Sequence, residues 1–83
     1  MLRVSSDPEA DAVYIYLIDN ELVGYTQELD DNRLIDRAPD GQAIGIDLML
    51  VSKGVKLEGL PEAETVEKIL TGLGVSIIKE AKK

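Results

Sequence analysis

The sequence predicts an α+β domain, an antiparallel β-meander of four or five strands with one C-terminal α-helix packed on it. Residues 1–51 consist of short apolar runs separated by polar turns, which is typical of hairpins. Residues 61–73 instead repeat apolar residues at helical spacing. A length of 83 residues suits a single domain over 1–83. In this prediction residues 1–51 form the meander core and residues 52–83 a helix-containing extension.

The predicted strands cover residues 2–5, 13–18, 22–29, 33–37 and 43–51. Residues 13–18 place Val13, Ile15 and Leu17 on one face and Tyr14, Tyr16 and Ile18 on the other. Both faces are apolar, so this strand is predicted to be central. Residues 43–51 alternate in the same way and give the second clear strand.

A helix is predicted from Pro61 onward, because proline favours the first helical position and acidic residues fill the first turn. One apolar stripe is expected to pack on the sheet: Val66, Ile69, Leu70 and Leu73. Glycines at positions 72 and 74 end the helix. Residues 75–79 either form a final strand or continue the helix, and the lysine-rich residues 79–83 are predicted to fray.

The composition excludes several kinds of chemistry. The chain has no Cys and no His, so Ser-His-Asp and Cys-His catalysis, thiol redox pairs and the usual zinc sites cannot be built. No catalytic activity is evident, since any chemistry would have to rest on carboxylates, lysines or hydroxyls, and we predict no cofactor and no metal. The absence of cysteine and of a long apolar segment predicts a cytoplasmic location without membrane insertion.

The charge distribution bears on partners. The chain has 16 acidic residues against 9 basic ones, for a net charge of -7. Residues 1–51 hold 11 of the acidic residues and only three arginines. Such a surface repels phosphate backbones, so we predict no direct nucleic-acid binding. The acidic charge instead favours a basic partner or simply serves solubility.

Three tyrosines, Tyr14, Tyr16 and Tyr25, are the candidate interface residues. One helix covers one side of a sheet, which leaves the other side partly apolar in a domain with a small stability margin. The tyrosine rings either cover that side within the monomer or form an interface. We predict an acidic interaction or structural module that is a homodimer or binds a small protein partner.

A cluster of carboxylates supplies the alternative function. Asp7, Glu9 and Asp11 lie within five residues and could serve a small carboxylate-dependent enzyme or a divalent-cation site. The competing interpretation is a solvated turn, in which Asp7 before Pro8 caps the backbone. Nothing in the spacing matches a calcium-binding loop.

Several blocks resemble one family in order and spacing: residues 7–15, residues 26–30, Asp36, and residues 40–48. They include an aspartate-proline-glutamate-alanine-aspartate turn, a tyrosine strand, a threonine-centred strand and a glycine-isoleucine-acidic strand. This pattern is similar to the prokaryotic family called domain of unknown function 2283, over about residues 1–51. The resemblance implies a small β-rich domain and implies no activity.

Overall fold

The computed structural model describes residues 2–78. An antiparallel five-stranded sheet contains β1 (Arg3–Asp7), β2 (Ala12–Tyr16), β3 (Tyr25–Asp30), β4 (Arg33–Arg37) and β5 (Ala43–Met49). A 3-10 turn (Val51–Lys53) leads to the short strand β6 (Val55–Lys56), the helix α1 (Ala63–Gly72) and the short strand β7 (Ile77–Ile78). The predicted α+β class, with an antiparallel sheet and one C-terminal helix, is confirmed.

The order of strands across the sheet is β1, β2, β5, β4, β3. The strands β3, β4 and β5 form a meander, but β2 pairs with β5 and not with its sequence neighbour β3. The sheet is therefore not one continuous meander. Turn signals report only pairings between sequence neighbours, whereas burial also favours bringing together the two strands that hold the most buried residues, β2 and β5. Ile15 of β2 accordingly lies opposite Ile46 of β5 at the centre of the sheet.

One face of the sheet carries the hydrophobic core. Ile15, Ile46 and Ile35 lie side by side across three strands and are fully buried. Val66 and Leu70 of α1 are also fully buried and belong to the same cluster as Ile15 and Ile46. Burial of one such side chain contributes about 1.5–3 kcal/mol, so the helix is held mainly by this contact.

The helix begins later than predicted and ends at the predicted Gly72, one residue before the last member of the predicted apolar stripe. It begins at Ala63, because Glu62 adopts a left-handed conformation (φ 55°) at the N-cap position. It ends at Gly72, so Leu73 no longer continues the helical stripe and is 46% exposed. The predicted burial of Leu73 is therefore wrong, while Val66 and Leu70 are buried as predicted and Ile69 is partly buried.

The C-terminal segment is fastened to the large sheet through Arg33. The Arg33 guanidinium donates hydrogen bonds to the backbone oxygens of Lys56 and Glu58 and to the Asp30 carboxylate. Val51, Val55 and Leu60, which flank this contact, lie in the same buried cluster as the sheet residues. Residues 52–78 thus share the core formed by the strands before them.

The strands also differ from the prediction in their bounds and number. Strand β5 stops at Met49, because Leu50 adopts a left-handed conformation (φ 54°) before the 3-10 turn. Strand β3 begins only at Tyr25, and Leu22 is 83% exposed in the connection before it. The two-residue strand β6 was not predicted, since it is too short to show alternation.

The final residues bear on two predictions. Within residues 75–78, Ile77–Ile78 forms β7, which pairs in parallel with β6. The predicted fraying of residues 79–83 falls outside the described residues. Among residues 2–78, no helix combines the length and apolar character that a bilayer crossing requires.

Candidate binding face

The side of the five-stranded sheet opposite α1 is the candidate site, and we call it the open face. Alternation along the strands assigns two cross-strand rows to it: Arg3, Tyr16, Gly45, Asp36 and Thr26, then Ser5, Tyr14, Asp47, Leu34 and Glu28. The residues on the three central strands are half-buried, apart from Gly45, which is buried. Among residues 2–78, no second helix or sheet lies over this face.

A hydrogen-bonded network crosses the open face. The Tyr14 hydroxyl donates to Oδ2 of Asp36 at 2.5 Å, and the Thr26 hydroxyl donates to Oδ1 of the same carboxylate at 2.7 Å. The network therefore joins β2, β4 and β3, although β5 lies between β2 and β4. Because Thr26 holds one oxygen of the Asp36 carboxylate, the other oxygen is a fixed acceptor for the Tyr14 hydroxyl.

Gly45 of β5 makes that network possible. A Cβ atom at this position would overlap the hydroxyl oxygen and the ring of Tyr14. The ring of Tyr14 therefore lies across the backbone of β5, where only a residue without a side chain leaves room. The glycine in the middle of β5 is therefore explained by the packing of the Tyr14 ring.

A second cluster lies beside the first at the β1 edge. The ring centroids of Tyr14 and Tyr16 are 4.7 Å apart, with the rings tilted by 57°. The guanidinium carbon of Arg3 lies 4.1 Å from the centroid of Tyr16, a cation–π contact. The same guanidinium pairs with the Asp19 carboxylate at 2.9 Å. The aromatic surface is consequently flanked by an ion pair on one side and by Asp36 on the other.

The open face is acidic at its centre. Burial, the hydrogen bond to Asp36 and the nearby charges of Asp36 and Asp47 raise the pKa of the Tyr14 hydroxyl, which therefore remains a donor at neutral pH. Burial and the charge of Asp36 likewise raise the pKa of Asp47. Glu28 adds a third carboxylate toward the β3 edge. A cation brought to this face would relieve the repulsion between these groups.

The structure separates the third candidate tyrosine from the other two. Tyr25 lies opposite Arg37 in the β3–β4 register and shares a strand face with Gln27, which is the face opposite to that of Thr26. Its side chain is 50% exposed, and its hydroxyl lies beside Gly41. Tyr14 and Tyr16 therefore form one surface, whereas Tyr25 lies on the other side of the sheet.

The carboxylates of the β1–β2 turn have separate positions. Oδ1 of Asp7 accepts a hydrogen bond from the Ala10 N–H at 3.3 Å, as a turn cap does. The Asp11 carboxylate accepts bonds from the N–H and the hydroxyl of Ser52, at 2.9 and 2.6 Å. Asp11 thereby fastens the turn to the 3-10 turn, while Glu9 is exposed and has no partner among the described residues.

These contacts leave no assembled cation site at the turn. Within residues 2–78, no group of three acidic side chains is arranged to hold a metal ion. Two of the three turn carboxylates point to backbone or hydroxyl donors, which are groups that a carboxylate accepts from without any metal. The structure therefore places the three residues on one turn without bringing their oxygens together.

Of the open face, sequence reasoning named only Tyr14 and Tyr16 as candidate residues, and it did not assign Arg3, Thr26, Asp36 or Asp47 to a site. The alternation within β4 and β5 places both aspartates on the side away from the isoleucines, and this signal was available in the sequence. Their proximity to Tyr14 depends on the pairing of β2 with β5, which no local pattern indicates.

Comparison with known proteins identifies the family. Residues 3–52 match a family model described as Protein of unknown function (DUF2283). The chain belongs to this family. The matched region contains all five strands of the sheet and both rows of the open face, and it stops before β6 and α1. Neither the curated proteins nor the solved structures yielded a match.

Proposed function

We propose that this DUF2283 chain is a protein-interaction module that acts as a homodimer and binds a basic protein partner on its open face. The observation that carries the proposal is the row of half-buried tyrosine and carboxylate side chains on a sheet face that no other described element covers. The family supplies the fold and no activity, so the argument depends on the chemistry of this face.

The aromatic part of the face suits protein contacts. Tyrosine is enriched at interfaces because its ring offers a large apolar area and its hydroxyl a polar contact. Here the hydroxyl of Tyr14 is already bonded to Asp36, and the ring of Tyr16 is packed between Tyr14 and Arg3. Binding would immobilise few additional rotamers, which reduces the entropic cost of association.

The charge of the face selects the partner. Asp36, Asp47 and Glu28 are spread over three adjacent strands, and Arg3 is already paired with Asp19. Two copies meeting open face to open face would bring these carboxylates together, and like charges brought together cost several kcal/mol. A partner segment with lysine or arginine residues and a few apolar side chains matches both parts of the surface.

The cation-binding alternative at Asp7, Glu9 and Asp11 stays a prediction. Asp7 caps its own turn and Asp11 binds Ser52, so neither carboxylate is left without a donor. These contacts favour no second function.

Photo-crosslinking in cells that naturally produce the chain tests whether a partner protein binds the open face. The photoreactive residue p-benzoylphenylalanine replaces Tyr16 in one variant and Lys68, which is exposed on α1, in the control. We expect a discrete crosslinked protein from position 16 and none from position 68. Equal capture at both positions, or none at position 16, would overturn the open face as the binding surface.

A defined peptide tests the charge argument in solution. An amphipathic lysine-leucine peptide is titrated into the isotopically labelled chain, with the glutamate-leucine version of the same peptide as control. We expect backbone amide shifts in β2, β4 and β5 with the lysine peptide only. The pair Asp36→Asn and Asp47→Asn should weaken the shifts, whereas Glu9→Gln with Glu64→Gln changes the net charge equally and should not. Shifts centred on α1 would contradict the proposal.

A further inference from the structure

The outer edge of β1 is an open pairing surface. Strand β1 is the first in the sheet order, and all five of its residues, Arg3–Asp7, are exposed. It contains no proline, lysine or register shift, which are three of the features that protect an edge strand, and its two charged residues, Arg3 and Asp7, have opposite signs. The other edge strand, β3, has an irregular register between Glu28 and Asp30, and such an irregularity disfavours further pairing.

The sequence of β1 is complementary to itself. Residues directly opposed in an antiparallel pair share a face, so a two-fold symmetric pairing must join residues of the same parity. When Ser5 is placed opposite Ser5 of a second copy, Arg3 lies opposite Asp7 and Val4 opposite Ser6. Shifting the register by two residues removes both ion pairs. The symmetric register that pairs opposite charges within β1 is therefore the one centred on Ser5.

The charged atoms needed for this pairing remain accessible. Arg3 uses Nε and Nη2 on Asp19, and Asp7 uses Oδ1 on the Ala10 N–H. Nη1 of Arg3 and Oδ2 of Asp7 have no partner among residues 2–78. A second copy can therefore form two additional ion pairs without breaking a bond that the monomer makes.

The helix side of the same edge carries uncovered apolar groups. Val4 is 36% exposed and Leu73 is 46% exposed. Ser6 and Leu73 line one groove, with a volume of about 330 Å³, between β1 and the end of α1. In the register centred on Ser5, Val4 of the second copy lies opposite Ser6, at the mouth of this groove. Because the pairing is symmetric, it would cover this groove in both copies.

We infer that two copies join through β1 in an antiparallel pairing centred on Ser5, which makes one continuous ten-stranded sheet. This inference rests on the proposed homodimer and specifies its interface. Both open faces then lie on the same side of the dimer. Three strand spacings separate the two β2 strands, which places the two tyrosine pairs about 14 Å apart. A partner with repeated basic segments would contact both tyrosine pairs of the dimer.

Disulfide trapping tests the register, because the chain has no cysteine of its own. In Ser5→Cys, the two thiols lie on directly opposed residues, whose Cα atoms are about 4.5–5.5 Å apart and within disulfide range. In the control Ser6→Cys, the neighbouring residue, which is also exposed, lies opposite Val4, so its two thiols are offset by two residues. We expect rapid, nearly complete oxidation to a dimer for Ser5→Cys and at least tenfold slower oxidation for Ser6→Cys.

Light scattering after size exclusion supplies the second measurement. The unmodified chain should have twice the monomer mass of 9.1 kDa at tens of micromolar, and Ser5→Lys, which opposes two lysines, should return it to the monomer mass. Equal oxidation of both cysteine variants, or a dimer that Ser5→Lys leaves intact, would overturn the β1 interface while leaving the homodimer itself standing. A monomeric unmodified chain would overturn both, and the photo-crosslinking result would still decide the open face independently.

Discussion

The covered face and the open face of the sheet share the same strands, so neighbouring residues in one strand belong to surfaces of different character. On the covered face, Ile15 and Ile46 are fully buried beneath α1, and no polar side chain is buried among the described residues. On the open face, Tyr14 and Asp36 are half-buried and joined by a hydrogen bond.

This difference separates the interactions that mainly stabilise the fold from those that hold the side chains of the open face in position for binding. Burial of one apolar side chain contributes about 1.5–3 kcal/mol, and a hydrogen bond to a charged group contributes a similar amount, about 1.5–3 kcal/mol net. The core beneath α1 contributes more in total, because it buries nine apolar residues while the network around Asp36 consists of two hydrogen bonds. The main effect of the network is to hold two rings and a carboxylate in one arrangement, which is what a binding surface requires.

The largest expected effect comes from the covered face. Leu70→Ala should lower the free energy of unfolding by about 2–4 kcal/mol, because it leaves a cavity at a fully buried site. Leu73→Ala is the matched control, since Leu73 is 46% exposed, and should cost less than about 1 kcal/mol. Urea denaturation measures both. Equally small losses would mean that α1 does not hold the sheet, and the comparison of the two faces would fail.

Substitution of Gly45 tests how the Tyr14 ring packs on the open face. Gly45→Ala should cost about 1–3 kcal/mol, because the added methyl group must displace the Tyr14 ring from its place over β5. In Gly72→Ala, the added methyl group meets nothing within 4 Å, so this helical control should be neutral or slightly stabilising.

Ultraviolet titration of the tyrosines gives a second readout of the same change. Displacement from Asp36 should return the pKa of Tyr14 toward its ordinary value of 10.0 in Gly45→Ala. Gly72→Ala should leave the titration curve unchanged. An unaltered high-pH titration in Gly45→Ala would show that the ring does not depend on the glycine.

The sequence predicted the covered face better than the open one, for a physical reason. The burial of Val13, Ile15, Ile46 and Leu48 follows from alternation within single strands, and that of Leu70 from helical spacing. The contact between Tyr14 and Asp36 spans 22 residues and requires β5 to lie between their strands. Local patterns specify which face a residue occupies, but they do not specify which strand lies beside it.

Substitutions in the β1–β2 turn, which lies beyond the end of both faces, are expected to change stability by an intermediate amount. Asp7→Ala should cost about 1 kcal/mol through loss of the capping oxygen, whereas Glu9→Gln should leave stability unchanged. Calorimetric titration with calcium, magnesium or manganese should show no saturable heat. Tight stoichiometric binding that Glu9→Gln abolishes would instead favour the cation site, and the turn would then be a third functional region beside the two faces.

The smallest expected effect is a difference in pH dependence between two aspartates. Burial and the charge of Asp36 raise the pKa of Asp47 above its ordinary value of 3.8. For Asp30, burial alone would raise the pKa, but hydrogen bonds from the Asn32 N–H and from Arg33 outweigh it and lower the pKa below 3.8. Folding therefore favours the protonated form of Asp47 and the ionised form of Asp30.

The two aspartates should consequently change stability in opposite directions as the pH rises. The unmodified chain loses stability as the pH rises from 3.8 through the folded pKa of Asp47, so Asp47→Asn should become more stable relative to it toward neutral pH. The contribution of Asp30 is present above 3.8 and is lost as the pH falls through its folded pKa, so Asp30→Asn should be destabilised at neutral pH and equal to the unmodified chain in acid. Urea denaturation between about pH 3 and pH 7 at constant ionic strength measures both differences. If Asp47→Asn did not gain stability relative to the unmodified chain toward neutral pH, burial and the charge of Asp36 would not destabilise the ionised form of Asp47, and the charge argument for a basic partner would lose support.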